Sequence, residues 1–377
     1  MSVHREFPCL FILNSSRKLE RPMKTEVLPE KVPPHVHRSQ TSLQTIRVCL
    51  LTLLPAAVWS VLLFGWPAAQ VWLISILAAA VTEVAANYAL TRRFKLHESA
   101  ILTGCLIALA MPPEVPWYVP AMATVFALAV VKHFFGGTGA NWMNPAMAGV
   151  AFAFLNWPAF MLVNLNQLGL TSSGFATRAT PFLQNILANS SVVASAGGLS
   201  VSSIDRLVTG FLNDGLFNLL NAKLPEGYID SLLGFNAASI GGSGTLFIII
   251  GSIIMIARRS VKLEIPLAML LVYGLLMRLI GAGLVDVFLL DNNILLGLTS
   301  GGLLLTGFYY ATDPVTSPVR RSGMILYGLI IGGLFFVFAR WKTYIEGAAF
   351  AIIIANTLVS TIDRLAMPSV FKKVGNR

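Results

Sequence analysis

The sequence predicts an all-α integral membrane protein of about ten transmembrane helices, with broken helices and two inverted five-helix repeats, and three observations lead there. First, only 12% of the 377 residues are charged and 55% are hydrophobic, with a mean hydropathy of +0.73. A soluble domain of this length needs about a quarter of its residues charged to cover its surface. Second, apolar segments recur at 43–65, 68–90, 99–111, 116–135, 144–165, 245–257, 264–284, 294–311, 324–339 and 347–362. Third, the two halves echo each other: "LTGCLIALAMPPEVP" begins at Leu102 and "LTGFYYATDPVTSP" at Leu305, while "GVAFAF" begins at Gly149 and "GAAFAI" at Gly347. Five spans per half is an odd number, so repeats of this kind must be inverted, and a ligand or an ion path is expected where their broken helices meet.

Taken in order, residues 1–42 read as a cytoplasmic tail. Arg5, Arg17, Lys18, Arg21, Lys24, Lys31 and Arg38 are scattered among prolines without the apolar core of a signal peptide. Translation from Met23 rather than Met1 is left open. Residues 43–165 form the first membrane half and 245–363 the second, with a basic tail at 364–377. The segments at 99–111 and 245–257 fall short of the roughly 20 residues a crossing helix needs, which marks them as broken or extended by their flanks.

Loop charge orients the chain. "TRRFKLHE" (91–98), "KHFFGGTGANWM" (132–143), "RRSVKLE" (258–264) and "DPVTSPVRR" (313–321) are basic or adjoin basic residues. The segment 166–244 carries three basic and four acidic residues. Both termini are therefore expected on the cytoplasmic side and 166–244 on the outer side, with only "RWKTYIE" (340–346) against the bias. The formal charge of +10 belongs to these clusters and not to a nucleic-acid surface. Within the outer segment, Ile204, Leu207, Val208, Phe211, Leu212, Leu216, Leu219 and Leu220 keep the helical period, as expected of a helix lying in the membrane interface.

Ionisable groups inside apolar spans are costly and mark candidate paths. Glu83, Arg278 and Asp313 are the candidates here, whereas His97, Glu98, Lys132 and His133 read as interfacial anchors. "FGGTGANWMNPA" (135–146) and "LTSGGLLLTG" (298–307) have the small residues that allow close helix packing or the approach of a planar ligand. Neither has the spacing or the lysine of a phosphate loop. Cys9, Cys49 and Cys105 have no paired spacing, so no disulfide framework or metal site is read from them. No catalytic or metal-ligating residue is assigned.

Four ordered stretches carry a family resemblance: "HESAILTGCLIALAMPPEVPW", "FGGTGANWMNPAMAGVAF", "SGGLLLTGFYYATDPVTSPV" and "EGAAFAIIIANTLVSTIDR". They resemble the family that contains the D subunit of Rnf electron transport complexes and the B subunit of Na⁺-translocating NADH:quinone reductases, over about Pro33 to Phe371. The resemblance favours the Rnf-type subunit, with the quinone-reductase subunit as the alternative. It implies a bacterial inner-membrane subunit of a redox-driven pump, which relays electrons between ferredoxin- and NAD-linked subunits and is coupled to Na⁺ or H⁺ movement. The chain has no cysteine cluster and no dinucleotide fingerprint, so it is not active alone and other subunits are obligatory partners, alongside membrane lipid.

The same resemblance gives a role to the polar stretch "TSSGFATRATPF" (171–182). The family attaches FMN through its phosphate to a threonine, in a motif Asp-x-x-Ser/Thr-x-Ala-Thr modified by a flavin transferase. On this chain Ala179 and Thr180 close the motif and Thr177 supplies the earlier hydroxyl, so Thr180 is the expected attachment site. Arg178 could offset the phosphodiester charge by a charge-assisted hydrogen bond. Gly174 stands where the motif has Asp, and Gly242 stands where the family usually has an acid. A second, noncovalent flavin, a flavin-free scaffold subunit and a channel-like transporter remain open alternatives at this level.

Overall fold

The computed structural model describes residues 42–161, 193–194, 200–201, 203–217, 228–234, 239–280, 302–340 and 344–367. Helices dominate them, with one two-residue antiparallel pairing of Val193–Ala194 with Ser200–Val201. The membrane-grade helices are α1 (Ser42–Phe64), α2 (Trp66–Thr91), α3 (Glu98–Ala110), α4 (Tyr118–His133) and α5 (Pro145–Asn156) in the first half. Two helices of the 166–244 segment follow, α6 (Ser203–Leu212) and α7 (Tyr228–Leu233). The second half holds α8 (Thr245–Ala257), α9 (Glu264–Ile280), the short α10 (303–310), α11 (Arg321–Arg340) and α12 (Tyr344–Leu365).

Four of these, Leu43–Phe64, Trp66–Thr91, Arg321–Ala339 and Gly347–Leu365, are long and apolar enough to cross a bilayer. Glu98–Ala110, Tyr118–His133, Pro145–Asn156 and Gly242–Ala257 are shorter apolar helices. The outward faces are as apolar as the core. Leu73, Leu77 and Val81 on α2 and Leu267, Leu271, Leu275 and Leu279 on α9 are all more than half exposed, a pattern that water would penalise and acyl chains accept.

Glycines set how closely the helices approach, and their placement matches between halves. A Cβ at Gly104 on α3 would lie 2.8 Å from Ser75 O of α2, and one at Gly149 on α5 would lie 2.6 Å from Ala123 O of α4. In the second half Gly307 on α10 faces Pro266 and Met269 of α9, and Gly347 on α12 faces Phe338 of α11. The echoed glycines thus sit at equivalent contacts: the first against the second helix of its half, the other against the fourth. Two short helices end at the centre, where Ile240 N donates to Met111 O (3.0 Å) and Gly241 N to Leu109 O (2.7 Å), supplying donors to carbonyls that the end of α3 leaves open. Gly241 has no room for a side chain there, between Leu109 and Leu305. Gly242 is buried in the next turn.

The α6 helix keeps the expected period, extended by a wider turn over Asn213–Phe217. Its inner face is polar: Asp205 is buried and accepts from Ile229 N (2.8 Å), while Leu207 and Phe211 are exposed. That orientation suits a helix lying on an apolar medium. Trp59 Nε1 of α1 donates to Leu233 O of α7 (2.8 Å), which ties this region to the far end of α1.

Candidate functional site

The centre of the first half is a buried ion network. Glu83 projects from the last third of α2 and is fully buried. Lys132, at 3% exposure, reaches it from the end of α4, with Nζ 3.1 and 3.0 Å from the two carboxylate oxygens. His133 Nε2 stands 2.7 Å from Glu83 Oε2. Lys132 also donates to Ser99 Oγ on α3 (3.0 Å), and Asn87 Nδ2 donates to Glu83 Oε1 (3.4 Å) and to Lys95 O (2.8 Å).

Local winding brings Lys132 and His133 to one acid. From Phe126 the α4 helix opens into a π-helical turn, and Phe134 N donates to Ala129 O and Gly137 N to Lys132 O, each five residues back. Wider winding reduces the angle between consecutive side chains, so Lys132 and His133 both face α2. Taken separately these residues read as interfacial anchors; the structure instead makes them the partners of Glu83. A bare carboxylate in this position would be prohibitively costly, and three donors offset that cost.

A second polar cluster joins the halves. Asn144 caps α5 by accepting from Ala146 N (2.9 Å) and Met147 N (3.3 Å), and its Nδ2 donates to Tyr310 O (2.9 Å) at the end of α10. Tyr310 OH donates to Leu106 O of α3 (2.8 Å). The Asn356 amide on α12 satisfies its surroundings with its nitrogen donating to Thr316 O (3.3 Å) and to Tyr327 Oη (2.5 Å), and its oxygen accepting from Asn144 N (2.9 Å).

Asp313 opens the loop beside this cluster. Its Oδ2 accepts from Thr316 Oγ1 (3.1 Å) and its Oδ1 from Val315 N (3.4 Å). Burial pushes this carboxyl above its ordinary value, and the two hydrogen bonds oppose the shift only in part. Arg278, the third candidate, lies exposed in the last turn of α9 between Leu275 and Leu279. The structure therefore buries Glu83 among the helices, sets Asp313 in a loop against the second cluster, and leaves Arg278 on the periphery. Thr177, Arg178 and Thr180 lie outside the described residues.

Sequence reasoning passed over Asn144, Tyr310, Tyr327 and Asn356. The "NP" step at Asn144 was a readable helix-start signal, but nothing local indicates its partners on α10 and α12.

A model of the NQR2, RnfD, RnfE family matches residues 30–372. The chain belongs to that family. Among curated relatives, the D subunit of the ion-translocating oxidoreductase complex of Stutzerimonas stutzeri is 36% identical over 345 residues, covering 89% of this chain and 93% of the relative. The D subunit of the proton-translocating ferredoxin:NAD(+) oxidoreductase complex of Clostridium ljungdahlii is 29% identical, over 93% and 98%. The D subunit of the Na(+)-translocating ferredoxin:NAD(+) oxidoreductase complex of Acetobacterium woodii is 26% identical, over 90% and 93%. In this member of the NQR2, RnfD, RnfE family, the cluster that joins the halves is built from the stretches that carry the resemblance. Asn144 lies in one, Tyr310, Asp313 and Thr316 in another and Asn356 in a third.

Proposed function

We propose that the chain is the D-type membrane subunit of an ion-translocating ferredoxin:NAD⁺ oxidoreductase complex in a bacterial inner membrane. The observation that carries this reading is the near end-to-end match to relatives named as that subunit. Relatives bear both proton and sodium names, so the cation is left as Na⁺ or H⁺. The electron carrier is FMN esterified to Thr180 on the outer side, with Thr177 as the neighbouring hydroxyl and Arg178 as the counter-charge to its phosphate. The flavin supplies one- and two-electron transfer when bound.

The chain's own contribution to ion movement lies in Glu83 and Asp313. Glu83 is held by Lys132 and His133 and has no exposed surface. Asp313 is held by a hydroxyl and a backbone amide, and burial favours its protonated form. The inverted repeats are part of the same proposal: the equivalent seating of Gly104 and Gly307, and of Gly149 and Gly347, supports them. A flavin-free structural subunit is the second reading, favoured by one observation, Gly174 at the motif's Asp position.

The test is in-gel flavin fluorescence under denaturing conditions, with mass analysis of the peptide holding Thr177 and Thr180, on protein expressed with its partner subunits and the flavin transferase. An FMN adduct on Thr180, lost in Thr180→Ala, is the expected result. An unmodified peptide from an assembled and active complex would establish the flavin-free reading instead.

A further inference from the structure

Among the described residues, eight have φ in the left-handed range. Six are glycines, and the other two are Arg92 (φ 56°) and Arg259 (φ 54°). Each ends a helix. Arg92 caps α2, with its N–H on Tyr88 O (2.9 Å), and Arg259 follows the cap of α8, with its N–H on Ile256 O (2.9 Å). Helices close this way with glycine at no steric cost, and this chain has 31 glycines. An arginine at both positions indicates a use for the side chain that outweighs its strained backbone.

Both turns lie at the same end of the helix bundle. Arg47, near the start of α1, binds Glu98 at the start of α3 (2.7 Å), which fixes the first turn at that end. The α8 helix runs antiparallel to α1, because Gly244 lies against Ala56 and Gly251 against Thr52. Its C-terminus therefore returns to the same end. The two turns also share a plan, "RRFKLHE" and "RRSVKLE", each closing on the glutamate that starts the next helix. Arg47 takes Glu98 and Arg321 takes Glu264 (3.4 Å), so each of these carboxylates already has an arginine from another helix.

The exposed side chains of the two turns are largely basic, with an aromatic beside those of the first. Arg92, Arg93, Lys95, Arg259 and Lys262 are exposed. Phe94 is 79% exposed and stacks on Tyr88, and the Arg92 guanidinium lies over the other ring of that pair, 5.5 Å from the Tyr88 centroid. A guanidinium fork suits phosphate oxygens, while an exposed aromatic beside it suits the boundary between headgroups and acyl chains. We propose that these two turns form a docking site for the phosphates of anionic phospholipid at one leaflet of the membrane. The proposal is independent of the flavin and of the complex's chemistry.

The test is native mass spectrometry of the detergent-purified whole complex, titrated with phosphatidylglycerol and with phosphatidylcholine of the same acyl chains. Wild type is expected to retain phosphatidylglycerol preferentially. The double variant Arg92→Gly/Arg259→Gly is expected to lose that preference about thirtyfold, at roughly fivefold per basic residue near the surface, while its thermal midpoint stays level or rises. Unchanged phosphatidylglycerol uptake would overturn the proposal, as would release of another subunit with lipid uptake intact, which would mark a protein contact. Displacement of the lipid by millimolar inorganic phosphate would likewise replace it with a free-anion site. If the glycine variant fails to assemble, Arg93→Gln/Lys95→Gln leaves both backbone turns untouched; it must also lose preference, and wild-type uptake in it refutes the site.

Discussion

Glu83 and Asp313, one in each half of the chain, are held in opposite ways. Glu83 has an ammonium, an imidazole and an amide around it and no exposed surface. Asp313 has a threonine hydroxyl and one backbone N–H. The first arrangement surrounds its acid with three donor groups and makes the lysine and histidine part of the fold; the second gives its acid two donors, and burial raises its pKa. The two acids differ little in themselves and are set apart by their neighbours.

The largest effect expected from breaking this contrast comes from removing a partner of Glu83. Lys132→Met leaves Glu83 buried with fewer donors and should cost about 3–5 kcal/mol of stability, read as a loss of assembled complex and a lowered thermal midpoint in detergent. Glu83→Gln/Lys132→Met removes both charges and should recover most of that loss. A double variant as unstable as Lys132→Met would show that the lysine acts by packing and not by charge.

This asymmetry was only half legible in the sequence. Glu83 stands out because a carboxylate in an apolar run is locally expensive, and the same local arithmetic places the spans. The identity of its partners is not local. Lys132 lies 49 residues away and faces α2 only because α4 winds wider at its end, a feature without a clear sequence signal. Periodicity likewise predicts a helix over 204–224, of which 218–224 lie outside the described residues, but cannot say which side meets protein, and the buried side is that of Asp205 and Thr209. Asn144 and Asn356 each look like ordinary polar residues until tertiary packing brings them together. The flavin motif and the leading tail fall outside the described residues.

The echoed glycines give the next test, of intermediate size, because the two halves match in position but differ in clearance. Gly104 has a backbone oxygen 2.8 Å from where a Cβ would stand, whereas the nearest atom to a Cβ at Gly307 is the flexible Met269 sulfur at 3.4 Å. Gly104→Ala should therefore destabilise by about 1–3 kcal/mol, since α2 and α3 must part. Gly307→Ala should be neutral within about 0.5 kcal/mol, helped by the better helix propensity of alanine. Equal costs in thermal unfolding would mean that the halves are packed alike at this contact.

The smallest effect belongs to Asp313, and it appears as a slope with pH. Burial raises the folded-state pKa of Asp313 above its ordinary value of 3.8. A group raised on folding contributes stability that is fully present below its unfolded pKa and is lost as pH rises through its folded pKa. The wild-type thermal midpoint should therefore carry a component that falls from about pH 4 upward, until the carboxyl is fully ionised in the folded protein. Asp313→Asn keeps an acceptor for Val315 N and turns an amide N–H toward Thr316 Oγ1, which can accept it; it cannot ionise, so it should remove that component and leave the midpoint flatter across the same range. An unaltered pH slope in Asp313→Asn would show that Asp313 titrates alike in the folded and unfolded chain, and would remove the contrast between the halves.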